Sequence, residues 1–390
     1  MKQMKDKLFQ KKAVYKVVIL QRVLPHYRIA FFSRLYHLLK NNGISLSVLY
    51  GDEYSGTVPR TVHPEEEWAV YIKNRYIRYR TTEIVWQGCL AYLRNEKPDL
   101  VIIEQANRLL VNYLLLSLRV IRRLKLAYWG HGCNFQSDNR RSIREFIKLH
   151  LIKSVDWWFA YTKLSATIVE NVGYSHKKIT IVQNSIDTDK FKQSLTQTGD
   201  HDICELKSNL GIESENIALF CGGMYPDKKL PFLLESAVRI RSEIDDFNLI
   251  LIGNGPDEHI ARNMSEQYQW VHFVGGVFGD DRAAYFLMSE LLLMPGLVGL
   301  AIVDSFIALT PMVTTDIPIH SPEISYLEHG KNGVMTSFDI DEYVSEVVSY
   351  LSDKQKLGLL QKGCEKSAEY YTLEHMVKSY SEGVINCLQQ

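Results

Sequence analysis

The sequence predicts an α/β protein made of two doubly wound domains, each a parallel sheet flanked by helices. Three observations predict it. Short apolar runs alternate with segments of helical spacing. The alternation stops at a polar stretch, residues 193–202, and then starts again. Several of the apolar runs end at Gly-containing loops, where a strand gives way to a helix. A chain of 390 residues suits two or three domains, and a composition 46% hydrophobic and 23% charged is ordinary for a protein with a sizeable core.

Residues 14–20 read as the first buried strand. Ile29, Phe31, Phe32, Leu35 and Leu38 then recur at helical spacing over 28–39. Ile44–Tyr50 is the second strand. Lys97-Pro98 introduces another at 99–103, and the run 126–129 ends at Gly130-His131-Gly132. Runs 157–161 and 178–182 complete the series, which Asn184-Ser185-Ile186-Asp187 closes. Residues 193–202 are the linker candidate. Strands resume at Ile217–Cys221, Asn248–Ile252, 270–274, 290–294 and Met312–Thr315. Helical segments follow at 340–351, 354–369 and 373–388, the last with Thr372 as its N-cap. The expected domains are 1–192 and 193–372, with 373–390 a C-terminal helix packing back on the first. Two such domains facing a central cleft place ligands at the carboxyl ends of both sheets.

Composition narrows the function. Six Cys with no Cys-x-x-Cys spacing argue for reduced thiols in a cytosol and against a disulfide framework or a zinc site. No apolar run makes a membrane span: Arg119 interrupts 112–121, and Glu290, Pro295 and Asp304 interrupt 286–309. Lys2, Lys5, Lys7, Lys11 and Lys12 precede only a short apolar run, so no signal peptide is expected. The zero net charge hides an asymmetry. Residues 1–190 hold 31 Lys and Arg against 16 Asp and Glu, whereas 191–390 hold 14 against 29. A basic front half suits an acidic partner or a domain of opposite charge. Arg140, Arg141, Arg144 and Lys148 interleave with Ile143, Phe146, Ile147 and Leu149, a pattern suited to an anionic membrane surface. Lys73, Arg75, Arg78 and Arg80 alternate with Tyr71, Tyr76 and Tyr79. They read either as stacking groups for nucleic acid or as a half-buried helix, and no nucleic-acid motif accompanies them.

The stretch from Met294 to Phe306 carries the most chemistry. It reads as buried strand, Gly loop and helix, with Gly299, Leu300 and Ala301 at the helix mouth and Asp304 a turn inside. Such a loop lets a phosphate approach main-chain N–H groups, and an acid so placed can take a ribose hydroxyl.

This spacing resembles the family 4 glycosyltransferases of the GT-B fold, whose signature is two Glu with seven residues between them in a Glu-Gly-Phe-Gly-Leu…Glu setting. Gly299-Leu300 match the second Gly and the Leu, Asp304 stands for the second Glu and Gly296 for the first. Gly222-Gly223-Met224-Tyr225-Pro226-Asp227-Lys228-Lys229 falls where the family has Gly-Arg-x-x-x-x-Lys-Gly. Lys228 keeps the Lys and Gly223 replaces the Arg. Gly253-Asn254-Gly255-Pro256 is similar to the family's Gly-x-Gly-Pro loop. Val274-Gly275-Gly276-Val277 is similar to the segment whose backbone meets the base. His320-Ser321-Pro322-Glu323 and Gly330-Lys331-Asn332-Gly333 match the region downstream, where Glu323 is expected to cap a helix. In the first domain His131 matches a His beside the transferred sugar. The loop from Arg22 to Arg28 is Gly-free, unlike the family's, and Arg28 is placed to offset the missing Arg at 223. Asn184 and Asp187 match an Asn-Gly-Val-Asp turn.

The resemblance implies a cytoplasmic enzyme, peripheral on the inner face of the membrane. It would move a sugar from a nucleotide diphosphate donor to a lipid-linked or growing-glycan acceptor, with retained configuration, in bacterial surface polysaccharide assembly. His131 and Lys228 would be catalytic. Arg28, Gly223, Lys228, Asn254, Gly255, Val277, Gly296, Gly299, Leu300, Ala301 and Asp304 would line the donor. Arg140, Arg141, Arg144 and Lys148 would face acceptor and membrane. With no Asp-x-Asp at a strand end, neither a metal nor another cofactor is expected, and the leaving diphosphate falls to Lys228, the 299–301 N–H groups and Arg28. No nucleic-acid partner is expected. Two rivals remain: a nucleotide-sugar 2-epimerase of the same fold, which needs no acceptor, and a non-catalytic GT-B-like subunit, for which loss of the first Glu and the Arg would be the mark.

Overall fold

A computed structural model describes residues 15–54, 61–79, 82–122, 124–132 and 151–390. The chain forms two compact units, one running to Gln183 and taking in Glu374–Gln390, the other spanning Asn184–Leu373. The passage between them falls before the expected boundary at 192/193.

In the first unit the elements are β1 (Tyr15–Leu20), α1 (Ile29–Asn41), β2 (Ile44–Tyr50), β3 (Ala69–Tyr71), β4 (Asn74–Tyr79), β5 (Thr82–Gln87), α2 (Leu90–Glu96), β6 (Leu100–Glu104), α3 (Leu110–Arg122), β7 (Lys125–Gly130), β8 (Trp157–Ala160), α4 (Lys163–Asn171) and β9 (Ile179–Ile181). Seven strands form one parallel sheet in the order β3-β2-β1-β6-β7-β8-β9, and β4 and β5 pair as a separate antiparallel hairpin.

The second unit contains α5 (Thr188–Gln197), α6 (Asp200–Leu210), β10 (Ile217–Cys221), α7 (Leu230–Glu243), β11 (Asn248–Ile252), α8 (Glu258–Gln267), β12 (Val271–Gly275), α9 (Arg282–Leu287), β13 (Leu291–Leu293), α10 (Ala301–Ile307), β14 (Met312–Thr315), β15 (Gly333–Thr336), α11 (Ile340–Ser352) and α12 (Lys354–Tyr370). Its six strands run parallel in the order β12-β11-β10-β13-β14-β15. Both sheets are doubly wound. The strand order reverses between β1 and β6 in one and between β10 and β13 in the other, and such reversals open a crevice at the carboxyl ends. Strands β8, β10, β11 and β14 are buried along their whole length, as strands covered on both faces must be.

Two readings of the sequence are corrected here. Residues 193–202 are not a linker but parts of α5 and α6. The Asp187 carboxylate accepts the Lys190 N–H at 3.3 Å to cap α5, and Asp202 accepts the Gly199 N–H at 2.9 Å to start α6. Their polarity is that of a solvated helix face, with Thr188, Phe191 and Ser194 turned inward. The alternating cations and tyrosines around Lys73–Arg78 belong to hairpin strand β4, not to a helix.

The last helix, α13 (Leu373–Gln389), belongs mostly to the first unit. Met376, Tyr380 and Val384 are fully buried. The Tyr380 ring stacks on Phe159 at 4.3 Å and meets Trp129 at 5.0 Å and Phe31 at 5.3 Å. Lys125 Nζ donates to the carbonyls of Cys387 and Leu388 at 2.9 and 2.8 Å, satisfying the end of the helix. Among the described residues no helix is long and apolar enough to cross a membrane.

Candidate functional site

The carboxyl edge of the second sheet is built from three loops that lock together. The loop after β10 is zipped to the loop after β11: Gly222 N–H donates to Ile252 O (3.0 Å), Met224 N–H to Asn254 O (2.8 Å) and Asp257 N–H to Met224 O (3.0 Å). A Cβ at Gly253 would lie 1.9 Å from Gly222 O, and one at Gly255 2.0 Å from Met224 O. Gly255 therefore serves this close approach of two backbones. Asn254 is exposed and its amide lies over Gly276, while Val277 packs against the core.

Lys228 ends a short 3-10 turn, Pro226–Lys228, at this edge. Its side chain is buried, with the residue 5% exposed. The ammonium donates to Leu297 O at 2.5 Å and to Met294 Sδ at 3.2 Å, and lies 5.7 Å from the centre of the Tyr225 ring. Two of its three N–H bonds are thus engaged. Burial lowers its pKa to about 8.

The same turn explains both departures from the family pattern. A Cβ at Gly296 would stand 2.3 Å from Asp227 O and 2.3 Å from the Lys228 carbonyl carbon, and Leu297 N–H donates to Asp227 O at 2.8 Å. The Lys228 backbone fills the space where the family's first Glu would begin. Position 296 is thus closed to any side chain, the family's acid included. At Gly223 a Cβ would meet the Tyr225 ring at 2.5 Å, so Tyr225 covers the position of the missing Arg.

The loop after β13 is held from below. Val298 N–H donates to His320 Nδ1 at 3.0 Å, and His320 Nε2–H donates to Thr315 O at 2.6 Å. This pairing requires the neutral imidazole, and burial lowers the His320 pKa in the same sense. Thr315 Oγ1 donates to Pro295 O at 2.7 Å. Gly299 and Leu300 lead into α10, with Ala301 its first residue. That helix has 7 residues, so the positive end expected there is that of a short helix. Asp304 is buried and receives the Arg282 fork, Nη1 at 3.0 Å and Nη2 at 3.4 Å. Desolvation pushes its carboxyl up and the Arg282 charge opposes this. The guanidinium lies 5.0 Å from the Phe191 ring centre. The carboxylate expected to meet a ribose is therefore engaged with Arg282. Glu323 lies in the first turn of the short 3-10 helix Pro322–Tyr326, where it is buried and accepts the Asn184 Nδ2–H at 2.5 Å.

Residues of the first unit form a separate group. Gln105 follows β6 and clamps the loop after β7: its Oε1 accepts Gly132 N–H at 3.0 Å and its Nε2 donates to Gly132 O at 3.1 Å. That clamp presents His131, whose ring meets Tyr161 at 4.3 Å. Arg28 is 4% exposed. Its guanidinium lies 5.0 Å from the Trp129 ring centre, 5.2 Å from Tyr27, 5.8 Å from Tyr161 and 5.9 Å from Phe31. Aromatic rings thus surround the Arg28 guanidinium. Arg140, Arg141, Arg144 and Lys148 lie outside the described residues.

Arg282 and Gln105 stand outside every motif of the sequence, whereas Tyr225 and His320 lie within matched segments that give them no role. Arg282 sits in a polar turn with no motif around it. Gln105 was findable only as the residue after a strand at a sheet reversal. Among the described residues, no group of three or more His, Cys, Asp or Glu is placed to hold a metal ion.

These two sheets define the class of fold. Residues 215–353 match the family model for glycosyl transferases group 1. Along nearly its whole length the chain is similar in fold to Anabaena Alr3699/HepE in complex with UDP and glucose, at 14% identity over 95% of this chain and 99% of that one, with a TM-score of 0.67. It is similar to the sucrose-phosphate synthase of Thermosynechococcus elongatus at 13% identity over 94% and 98%, TM-score 0.69. It is also similar to S. aureus TarM in a complex that contains UDP, at 10% identity over 97% and 100%, TM-score 0.64. No curated protein matches the sequence. The fold is GT-B, two Rossmann-like domains, and its second unit carries the group 1 glycosyl transferase match.

Proposed function

We propose that the chain is a glycosyltransferase using a nucleotide diphosphate sugar. It passes the sugar, with retained configuration, to a lipid-linked or growing-glycan acceptor in the assembly of a bacterial surface polysaccharide. The observation that carries this reading is Lys228, a buried ammonium where β10 and β13 part, in the segment that matches the group 1 glycosyl transferases. The UDP held by Alr3699/HepE and TarM supports a nucleotide donor.

In this reading Lys228 neutralises the charge that develops on the leaving diphosphate. A pre-placed cation in a dry site is worth far more than one in water. Leu297 O and Met294 Sδ hold the ammonium until the ligand arrives. The resemblance assigns His131 to a hydroxyl of the transferred sugar, and protein groups take the place of a metal. The basic front half belongs at the inner face of an anionic membrane.

The test is a panel of UDP- and GDP-sugars, read by thermal shift and by product NMR. Stabilisation by one nucleotide sugar, weakened in Lys228→Ala, is the expected result. No stabilisation by any would sink the proposal. Donor isomerised at C2 in the absence of acceptor would favour the epimerase. Binding without transfer or hydrolysis, whatever the acceptor, would favour the non-catalytic subunit.

A further inference from the structure

The crevice where the first sheet reverses, between β1 and β6, carries charges that the donor reading does not use. Arg22 stands just past β1. Its N–H donates to Glu104 Oε1 at 2.9 Å, and its carbonyl accepts from Asn74 Nδ2 at 2.7 Å and from Gly51 N–H at 3.3 Å. With its main chain held on both sides, its guanidinium lies 3.5 Å from Tyr76 OH and 3.8 Å from Glu83 Oε1. Arg108 arrives from the loop after β6. Its carbonyl accepts the Val85 N–H at 2.8 Å, which docks it against the strand that carries Glu83, and its Nη1 lies 3.9 Å from the same Glu83 oxygen.

Two guanidiniums thus share one carboxylate oxygen, and neither ion pair reaches normal hydrogen-bond distance. Burial, and then the neighbouring Arg22 charge, pull the Arg108 pKa below its usual range. The other acid facing the pair among the described residues, Glu104, is pushed up by desolvation against the Arg22 N–H and the charges of Arg22, Arg108 and Arg28, which weakens it as a neutralising partner. A like-charged pair of forks around one loose counter-ion is completed by a multidentate anion, and guanidinium geometry matches phosphoryl oxygens. Access exists, since the Arg108 side chain is 47% exposed.

We propose that Arg22 and Arg108 form a binding site for a phosphoryl group of the acceptor at the carboxyl edge of β1 and β6, with Glu83 the counter-ion that the ligand displaces. Naming the ligand an acceptor rests on the glycosyl-transfer reading; the anion site itself does not. The phosphoryl group belongs either to a lipid diphosphate carrier or to a soluble phosphorylated glycan.

The experiment is calorimetric titration of the full chain at low salt, with UDP present in excess to fill the donor site. Citronellyl diphosphate is one probe and inorganic diphosphate the other. Both are expected to bind. Arg22→Gln and Arg108→Gln should each weaken binding about tenfold or more, as loss of a charge-assisted fork implies. Glu83→Gln should tighten it by roughly threefold, because the competing carboxylate is gone. That gain separates a ligand site from a structural ion cluster, whose disruption would not improve binding. Citronellyl diphosphate binding about tenfold tighter than inorganic diphosphate assigns the lipid carrier; equal affinities assign soluble phosphate chemistry. No binding of either probe, or unchanged binding in an Arg108→Gln protein that melts like the wild type, overturns the proposal. UDP binding, measured separately, tests the donor reading alone, and its failure would leave the anion titration decisive for this one.

Discussion

At position 228 burial and charge pull in opposite directions, and the outcome is measurable. Lys228→Ala should lower kcat by about 10²–10³, the loss expected for one pre-placed charge stabiliser at about 3 kcal/mol. A folded variant with wild-type turnover would remove Lys228 from the chemistry. The pKa near 8 adds a pH signature. As pH rises through about 8 the unliganded lysine loses its proton, so UDP affinity should fall, up to about tenfold per pH unit. Lys228→Arg should flatten that limb, because a guanidinium stays charged. Stability moves the other way. The folded pKa lies below the unfolded value, so the unfolded chain holds more protons between about 8 and 10.5. The cost of burying the charge, present below pH 8, therefore fades across that window. UDP titrations at pH 6 to 10 on both proteins check the first effect. Gly296 offers a different test. Restoring the family's acid by Gly296→Glu drives a side chain into the Asp227–Lys228 backbone and should destabilise the fold by about 1–3 kcal/mol or more, measured by urea unfolding. A variant as stable as the wild type would show that the turn does not fill that space. In the sequence this glycine reads as a lost acid; its neighbour across the turn is 68 residues away in the chain and carries no signature of the contact.

Elements with strong periodicity were legible, and those set by partners were not. Ile217–Cys221, Asn248–Ile252 and Met312–Thr315 are strands in the structure as read, because each is a buried apolar run that only a strand covered on both faces accommodates. Helices α11 to α13 were equally plain from their spacing. Strand β15 was missed because four residues between turns carry too little period, and its pairing with β14 defines it. The polar residues 193–202 resemble a linker in the sequence because α5 carries only two large apolar residues, Phe191 and Leu195, and its caps lie in side chains that look like turn formers. Asp187→Ala removes the α5 cap and should cost about 1 kcal/mol in urea unfolding. No change would show that tertiary contacts alone hold that helix.

The whole molecule depends on a segment far away in sequence. Helix α13 completes the first unit, with Tyr380 buried among Phe31, Trp129 and Phe159. Tyr380→Ala should cost about 3–5 kcal/mol, the range for truncating a buried aromatic, and lower the melting temperature of the first unit. A melting curve matching the wild type would contradict that placement. Sequence alone determined the α/β class, the two series of strands, the donor-like loops and the opposite charges of the two halves, since periodicity, Gly-containing turns and net charge are local properties that survive without coordinates. Tertiary structure alone decided that Gly296 and Gly223 are filled by the Lys228 turn, that Asp304 pairs with Arg282, that Arg28 is caged by rings, and that Arg22 and Arg108 share Glu83. The physical reason is common to all four. Each depends on which distant backbone or charge fills a few ångströms of space, and that follows from sheet order and loop packing, which periodicity along the chain does not encode.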